Sequence, residues 1–318
     1  MDLRKTPSLY FQLKFGHPPP PNFEKFDANI GVAGYCAAIR KYLMPDSTPE
    51  TFSVAQLPFE SRLYCKGSIF SRVRRIRNEK LDDFLSSPLK SSDFCAPEVE
   101  KTRAGRFNAQ GERTLYLADH PFVALKECEV EPGDHFLLSY FVFKTDTQFV
   151  SASASKSKYT KLLNSLLTTK DKNFYEVITR TYNDLLNYKT HHGIAYNSVK
   201  IPEKHCHTTW GEIDSITNLA MTEEKLSAAE LQVGWLARCD EHYRPYYIKI
   251  LSHDVKNEKR IFTSQDYHKN KSRFMTEHRK AMRQIYQLSK RTKTLIKRKD
   301  HEGVNAAPLK LLTQEWSL

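Results

Sequence analysis

One stretch of the chain carries residue types able to act together on an anionic substrate: Gly105-Arg106-Phe107-Asn108-Ala109-Gln110-Gly111, then Thr114-Leu115-Tyr116-Leu117-Ala118, then Ala124-Leu125-Lys126-Glu127. Arg106 offers a planar, permanently charged fork that can take two phosphate oxygens at once. Glu127 offers a carboxylate that can hold a hydroxyl and stabilise positive charge developing beside it. Tyr116 supplies an aromatic face with a hydroxyl at its edge, and Asn108 lies in a turn between two glycines. Upstream, Arg72 belongs to a cluster with Arg74, Arg75 and Arg77; downstream, Ser198 adds a neutral hydroxyl. Taken singly each is ordinary. A lone Glu127 is a helix-surface glutamate, a strand tyrosine such as Tyr116 is usually core, and Ser198 could cap a turn; the order makes them a set.

Other chemistries find less support. His205-Cys206-His207, with His191 and His192 nearby, invites a metal, but adjacent residues diverge and lack ligand spacing, so no metal is expected. Glycine-rich phosphate loops and a G-x-S-x-G elbow are absent. Six cysteines, at 36, 65, 95, 128, 206 and 239, include no C-x-x-C pair, which suits a reducing compartment better than a disulfide framework. The opening residues carry no signal-peptide pattern, and the strongest apolar run, 136–143, is too short to span a bilayer. A cytoplasmic protein without a membrane partner is expected.

The elements that would hold these residues mix strands and helices without strict alternation, which predicts an α+β fold. Tyr, Phe, Leu and Val enrich 62–73, 115–118 and 136–144, which read as strands, with helical character at 121–128. Residues 30–44 predict a helix, and Ser47 with Glu50 a capping box for another. The small polar stretch 151–157 breaks the chain; helices over 159–168 and 174–188 and a strand over 193–199 follow. Residues 231–236 and 246–251 could pair around the polar segment 240–244, and a long helix covers 270–299.

The motifs resemble those of the RES domain family of bacterial toxins, named for an Arg, a Glu and a Ser distant in sequence. The family pattern is a Gly-Arg-aromatic-Asn turn, a Leu-Tyr-x-Ala strand and an Ala-x-x-Glu helix, all present here in order. Ile69-Phe70-Ser71-Arg72-Val73-Arg74 resembles its aromatic-x-Arg-x-Arg strand, which makes Arg72 or Arg74 the signature arginine. Gly193-Ile194-Ala195-Tyr196-Asn197-Ser198 resembles its Gly-Ile-x-Tyr-Pro-Ser segment, with Asn197 in place of Pro, and Asn218-Leu219-Ala220 resembles a closing Asn-x-Ala. The likeness covers 62–221, about half the chain.

This resemblance implies an ADP-ribosyltransferase-like split sheet and NAD⁺ as substrate, cleaved between nicotinamide and ribose. Phosphate or water would be the acceptor, or a protein in an ADP-ribosyltransferase. It implies Glu127 and Arg72 as catalytic residues and Arg106, Asn108, Tyr116 and Ser198 as contacts to NAD⁺. It also raises an antitoxin or other regulatory protein, and a role in toxin-antitoxin or phage-defence systems. The chemistry is coherent: nicotinamide leaves without protonation, so one carboxylate can suffice.

The net charge of +12 is concentrated at one end, where residues 256–300 hold fifteen Lys or Arg against four Asp or Glu. The chain therefore divides into an N-terminal extension, 1–60, with a proline run at 18–21; a catalytic region, 61–255; and a basic helical tail, 256–318. In that tail Phe274, Ala281, Leu288 and Leu295 recur every seven residues, flanked by Met275, Met282 and Ile296. Such a stripe predicts packing on the chain's own core or on a second copy. Nucleic-acid binding through the basic face is the non-enzymatic alternative.

Overall fold

The computed structural model describes residues 19–43, 60–151, 158–187, 189–256 and 259–298. Twelve strands are present among them: β1 (Glu60–Tyr64), β2 (Ile69–Arg75), β3 (Thr114–Ala118), β4 (His135–Phe143), β5 (Thr147–Ser151), β6 (Gly193–Asn197), β7 (His205–His207), β8 (Gly211–Ile213), β9 (Thr217–Thr222), β10 (Ala229–Cys239), β11 (Pro245–Lys256) and β12 (Lys259–Asp266). The α-helices are α1 (Gly31–Leu43), α2 (Asn78–Ser86), α3 (Pro121–Glu127), α4 (Lys158–Leu167), α5 (Tyr175–Leu185) and α6 (Lys271–Arg298).

Ten strands form one mixed sheet in the order β1-β5-β6-β9-β3-β2-β4-β10-β11-β12, and β7 with β8 forms a separate hairpin. Pairing is antiparallel except between β5 and β6. The fold is α+β. β4, HFLLSYFVF, is buried from its second residue to its last because sheet neighbours flank it and other elements cover both faces.

At one point the sheet is barely joined. β2 and β3 share a single residue pair, Ser71 with Ala118, reinforced by the Ser71 hydroxyl donating to the Ala118 carbonyl at 2.9 Å. Side-chain alternation carries one face of the sheet across this seam, since Tyr116 and Ala118 point the same way. Tyr116 joins a core with α1, α4 and α5, built on Tyr35, Leu163, Phe174 and Ile178. Ala118 joins a second core with α3, the β7–β8 hairpin and α6, built on Phe122, Trp210, Trp235 and Phe274. A third core lies on the opposite face around Tyr64, Phe70, Phe143 and Phe149.

Several expectations change. The single strand expected over 62–73 is two strands separated at Gly67, whose φ of 90° suits glycine, and β1 departs to pair with β5. β5, β12 and α2 carried no distinctive signal in the sequence. The stretch expected to be a basic helical tail opens with β12, an edge strand paired with β11, so it continues the sheet. Beyond it α6 packs Phe274, His278, Ala281 and Ile285 inward, where Trp235 Nε1 donates to His278 Nδ1 at 3.2 Å. The expected capping box at Ser47 and Glu50, the break over 152–157, most of the N-terminal extension, the Leu295 and Ile296 side chains and the chain after 298 lie outside the described residues.

Candidate active site

β3 runs directly into α3. The turn between them is set by His120, whose Nδ1 accepts from the Phe122 amide at 3.1 Å, and by Pro121 at the first helical position, where its missing N–H costs nothing. Residues 121–125 are buried, which brings Glu127 to the end of the helix at the seam between the two cores. A carboxylate at a helix C-terminus faces the negative end of the dipole. Two donors offset this: Ser198 Oγ at 2.6 Å and Asn218 Nδ2 at 3.0 Å, both on Glu127 Oε1.

Both donors are themselves held. Ser198 Oγ accepts from the Lys200 amide at 3.1 Å, so its hydrogen is directed at Glu127, and the Ser198 amide donates to Ile216 at 2.8 Å. Asn218 faces Ala118 across the β3–β9 ladder and is 3% exposed. Asn197, where the family pattern has Pro, sits in the β6–β9 ladder opposite Thr217, so sheet pairing orients the serine. Glu127 Oε2 makes no hydrogen bond among the described residues, both donors being on Oε1.

The Gly-Arg-Phe-Asn turn forms a second rigid unit. A Cβ on Gly105 would lie 2.5 Å from Asn108 Oδ1 and 2.9 Å from Tyr116 Oη, so glycine is required there. Tyr116 Oη donates to Asn108 Oδ1 at 2.8 Å and accepts from the Phe107 amide at 3.0 Å. Asn108 Nδ2 donates to the carbonyls of Arg103 and Ala109, each at 2.9 Å. The polar atoms of Asn108 and Tyr116 therefore lock the turn. Arg106 is buried, with Nη1 on the Leu167 carbonyl, Nη2 on the Thr169 carbonyl at 3.1 Å, and its guanidinium 5.2 Å from the Tyr175 ring.

Tyr175, Tyr196 and Tyr116 gather beside this arginine, and Phe107 packs on Tyr196 at 4.7 Å. Burial drives the Tyr116 and Tyr196 hydroxyls above the usual tyrosine range, and the Glu127 carboxylate pushes Tyr196 further. Both are neutral donors at physiological pH.

Arg72 is held separately from the Glu127, Ser198 and Asn218 set. It alternates with Ser71 and Val73, shares the face of Phe70, and donates Nη1 to the Phe94 carbonyl at 3.3 Å. Burial lowers its guanidinium to about 10 and raises the neighbouring Cys128 thiol to about 11. No hydrogen bond or ion pair joins Arg72 to Glu127, Ser198 or Asn218 among the described residues. Arg74 is exposed, with Nη1 on the Asp93 carbonyl at 3.2 Å. His205 and His207 pack around Phe122, and no group of three His, Cys, Asp or Glu is placed to hold a metal among the described residues. The six cysteines are free thiols.

The model of the RES domain matches residues 72–240, more than half of the 318-residue chain. The chain belongs to the RES domain family. No curated protein and no solved structure matches it. The RES domain runs from within β2 to just past β10 and includes Arg72, Arg106, Asn108, Tyr116, Glu127 and Ser198. It leaves α1, β1, β11, β12 and α6 outside, although β11 and β12 continue its sheet and β11 and α6 share a core with it. Sequence reasoning marked Asn218 as a motif residue but not as a partner of Glu127, and it missed Tyr175 and the carbonyls that engage Arg106. The Asn-x-Ala motif was the available signal for Asn218. Among the described residues, no helix is long and apolar enough to cross a membrane.

Proposed function

We propose that this RES domain protein cleaves NAD⁺ at the nicotinamide–ribose bond, as a toxin-type enzyme using phosphate or water as acceptor. The family occurs in toxin-like, NAD-related proteins, which supplies the coarse direction. One observation carries the finer reading: Glu127 has one oxygen anchored by Ser198 and Asn218 and the other free. In the proposed reaction Oε2 takes a ribose hydroxyl while its charge stabilises the oxocarbenium-like ribose as nicotinamide departs. An ADP-ribosyltransferase-like fold is part of the proposal, supported by the sheet dividing at the Ser71–Ala118 pair.

Arg106, Asn108 and Tyr116 then contribute as a rigid wall of the NAD⁺ site, with Arg106 holding the α4 terminus against the Gly-Arg-Phe-Asn turn. Arg72 acts from the opposite side of the seam. Incubating the protein with NAD⁺, with and without phosphate, and resolving the products tests this. Free nicotinamide with ADP-ribose or phosphorylated ADP-ribose is expected; labelling of a protein would shift the reading to an ADP-ribosyltransferase, and intact NAD⁺ would overturn it. A second reading, nucleic-acid binding, draws on the exposed Arg273, Arg279 and Arg283 of α6, which make no ion pair among the described residues.

A further inference from the structure

Arg106, expected to meet the phosphates of the substrate, is engaged elsewhere, since it gives both Nη groups to backbone carbonyls, and Arg72 gives one of its own to a carbonyl. Two lysines meet instead on a carboxylate two residues past Glu127. Lys200 follows Ser198 by two residues and donates its amide to the serine hydroxyl. Lys172 precedes Tyr175 by three, in the turn that Arg106 ties down. Their ammonium groups converge on one atom, Glu129 Oε1, at 3.2 Å from Lys172 and 3.0 Å from Lys200.

Glu129 lies two residues past Glu127 and is held in the left-handed region at φ 53°, which is uncommon for a residue with a side chain. Its carbonyl accepts from Arg75 Nη1 at 3.1 Å, a hydrogen bond that does not involve the Glu129 side chain. The three side chains are 66%, 39% and 51% exposed for Lys172, Lys200 and Glu129, so the bridge is solvent-screened and cheap to open. Two ammonium groups on one carboxylate leave a net positive charge.

We propose that Lys172 and Lys200 form a clamp for the diphosphate of the dinucleotide, and that Glu129 is an internal anion occupying the clamp until substrate displaces it. This rests on the NAD⁺ reading above. A diphosphate brings two negative charges where Glu129 brings one, so the exchange neutralises both lysines. The clamp acts on binding: its loss raises KM for NAD⁺ and leaves kcat little changed.

Titrating ADP-ribose, which keeps the diphosphate and undergoes no turnover, separates the possibilities. The Lys172→Ala, Lys200→Ala double variant is expected to weaken binding by about tenfold or more. Glu129→Gln is expected to tighten it by roughly two- to fivefold, because the competing charge is gone. Equal affinity for wild type and the double variant would remove the clamp and leave the NAD⁺ reading standing. Weaker binding by Glu129→Gln would make the bridge a structural support and overturn the displacement. A wild-type protein that binds neither ADP-ribose nor NAD⁺ would sink both.

Discussion

Ser198 Oγ donates to Glu127 Oε1 at 2.6 Å across 71 residues of chain, with the hydroxyl itself oriented by the Lys200 amide. Because the serine hydrogen is committed, this oxygen of Glu127 is an acceptor, and in the proposed reaction the other takes the ribose hydroxyl. Glu127→Gln should therefore fold and bind NAD⁺ but lose about 10²–10³-fold in kcat, since the amide keeps the shape and removes the charge. Near-normal turnover in a steady-state assay would remove Glu127 from the mechanism.

Asn218 holds the same oxygen at 3.0 Å from a neighbouring strand. Asn218→Ala should lower kcat by about tenfold with a smaller effect on KM, because a neutral hydrogen bond to a charged acceptor is worth about 1.5–3 kcal/mol. Combined with Ser198→Ala, the loss should be smaller than the product of the two single losses, as expected for donors sharing one acceptor. Full additivity in the double-mutant cycle would mean that they act separately.

The buried fork of Arg106 predicts a stability effect first. Arg106→Lys cannot reach the Leu167 and Thr169 carbonyls together, so denaturant unfolding should show a loss of about 1–3 kcal/mol. Weakened NAD⁺ binding should accompany that loss. Unchanged stability with weakened binding would return Arg106 to direct phosphate contact.

His278 predicts an acid-sensitive α6. Burial among Trp235, Tyr247 and Phe274 lowers its pKa from 6.5 to about 4, so the folded protein resists a proton that the unfolded chain accepts. Its stabilising contribution is intact above pH 6.5 and is lost as pH falls toward 4, by about 3 kcal/mol. His278→Gln should flatten the pH dependence of the unfolding midpoint in that window.

Removing residues 269–318 should expose Trp235 and Tyr247, which α6 covers with Phe274 and Ile285, and lower the melting temperature or solubility. If the truncated protein melts normally yet no longer retains nucleic acid at low salt, the binding role of the helix gains over its packing role.

Local chemistry was legible where residues act through neighbours in the chain. The Gly105-to-Asn108 turn, the β3 strand and the α3 helix could be read because glycine placement, period-two patterning and a helix-starting proline are short-range properties. So could the α+β class and the inward stripe of α6, whose Phe274, Ala281 and Leu288 repeat at helical spacing. What those residues touch depended on long-range pairing. Glu127 and Ser198 were both named, but the register of β9 between β6 and β3 brings Asn218 to them. Arg106 looked like a phosphate ligand because its charge is visible in the sequence, while the carbonyls that engage it, released where α4 ends, are backbone groups common to every residue. β5 and β12 went unread for a related reason: a short or basic strand has little pattern of its own and forms because a neighbouring edge offers unpaired hydrogen-bonding groups.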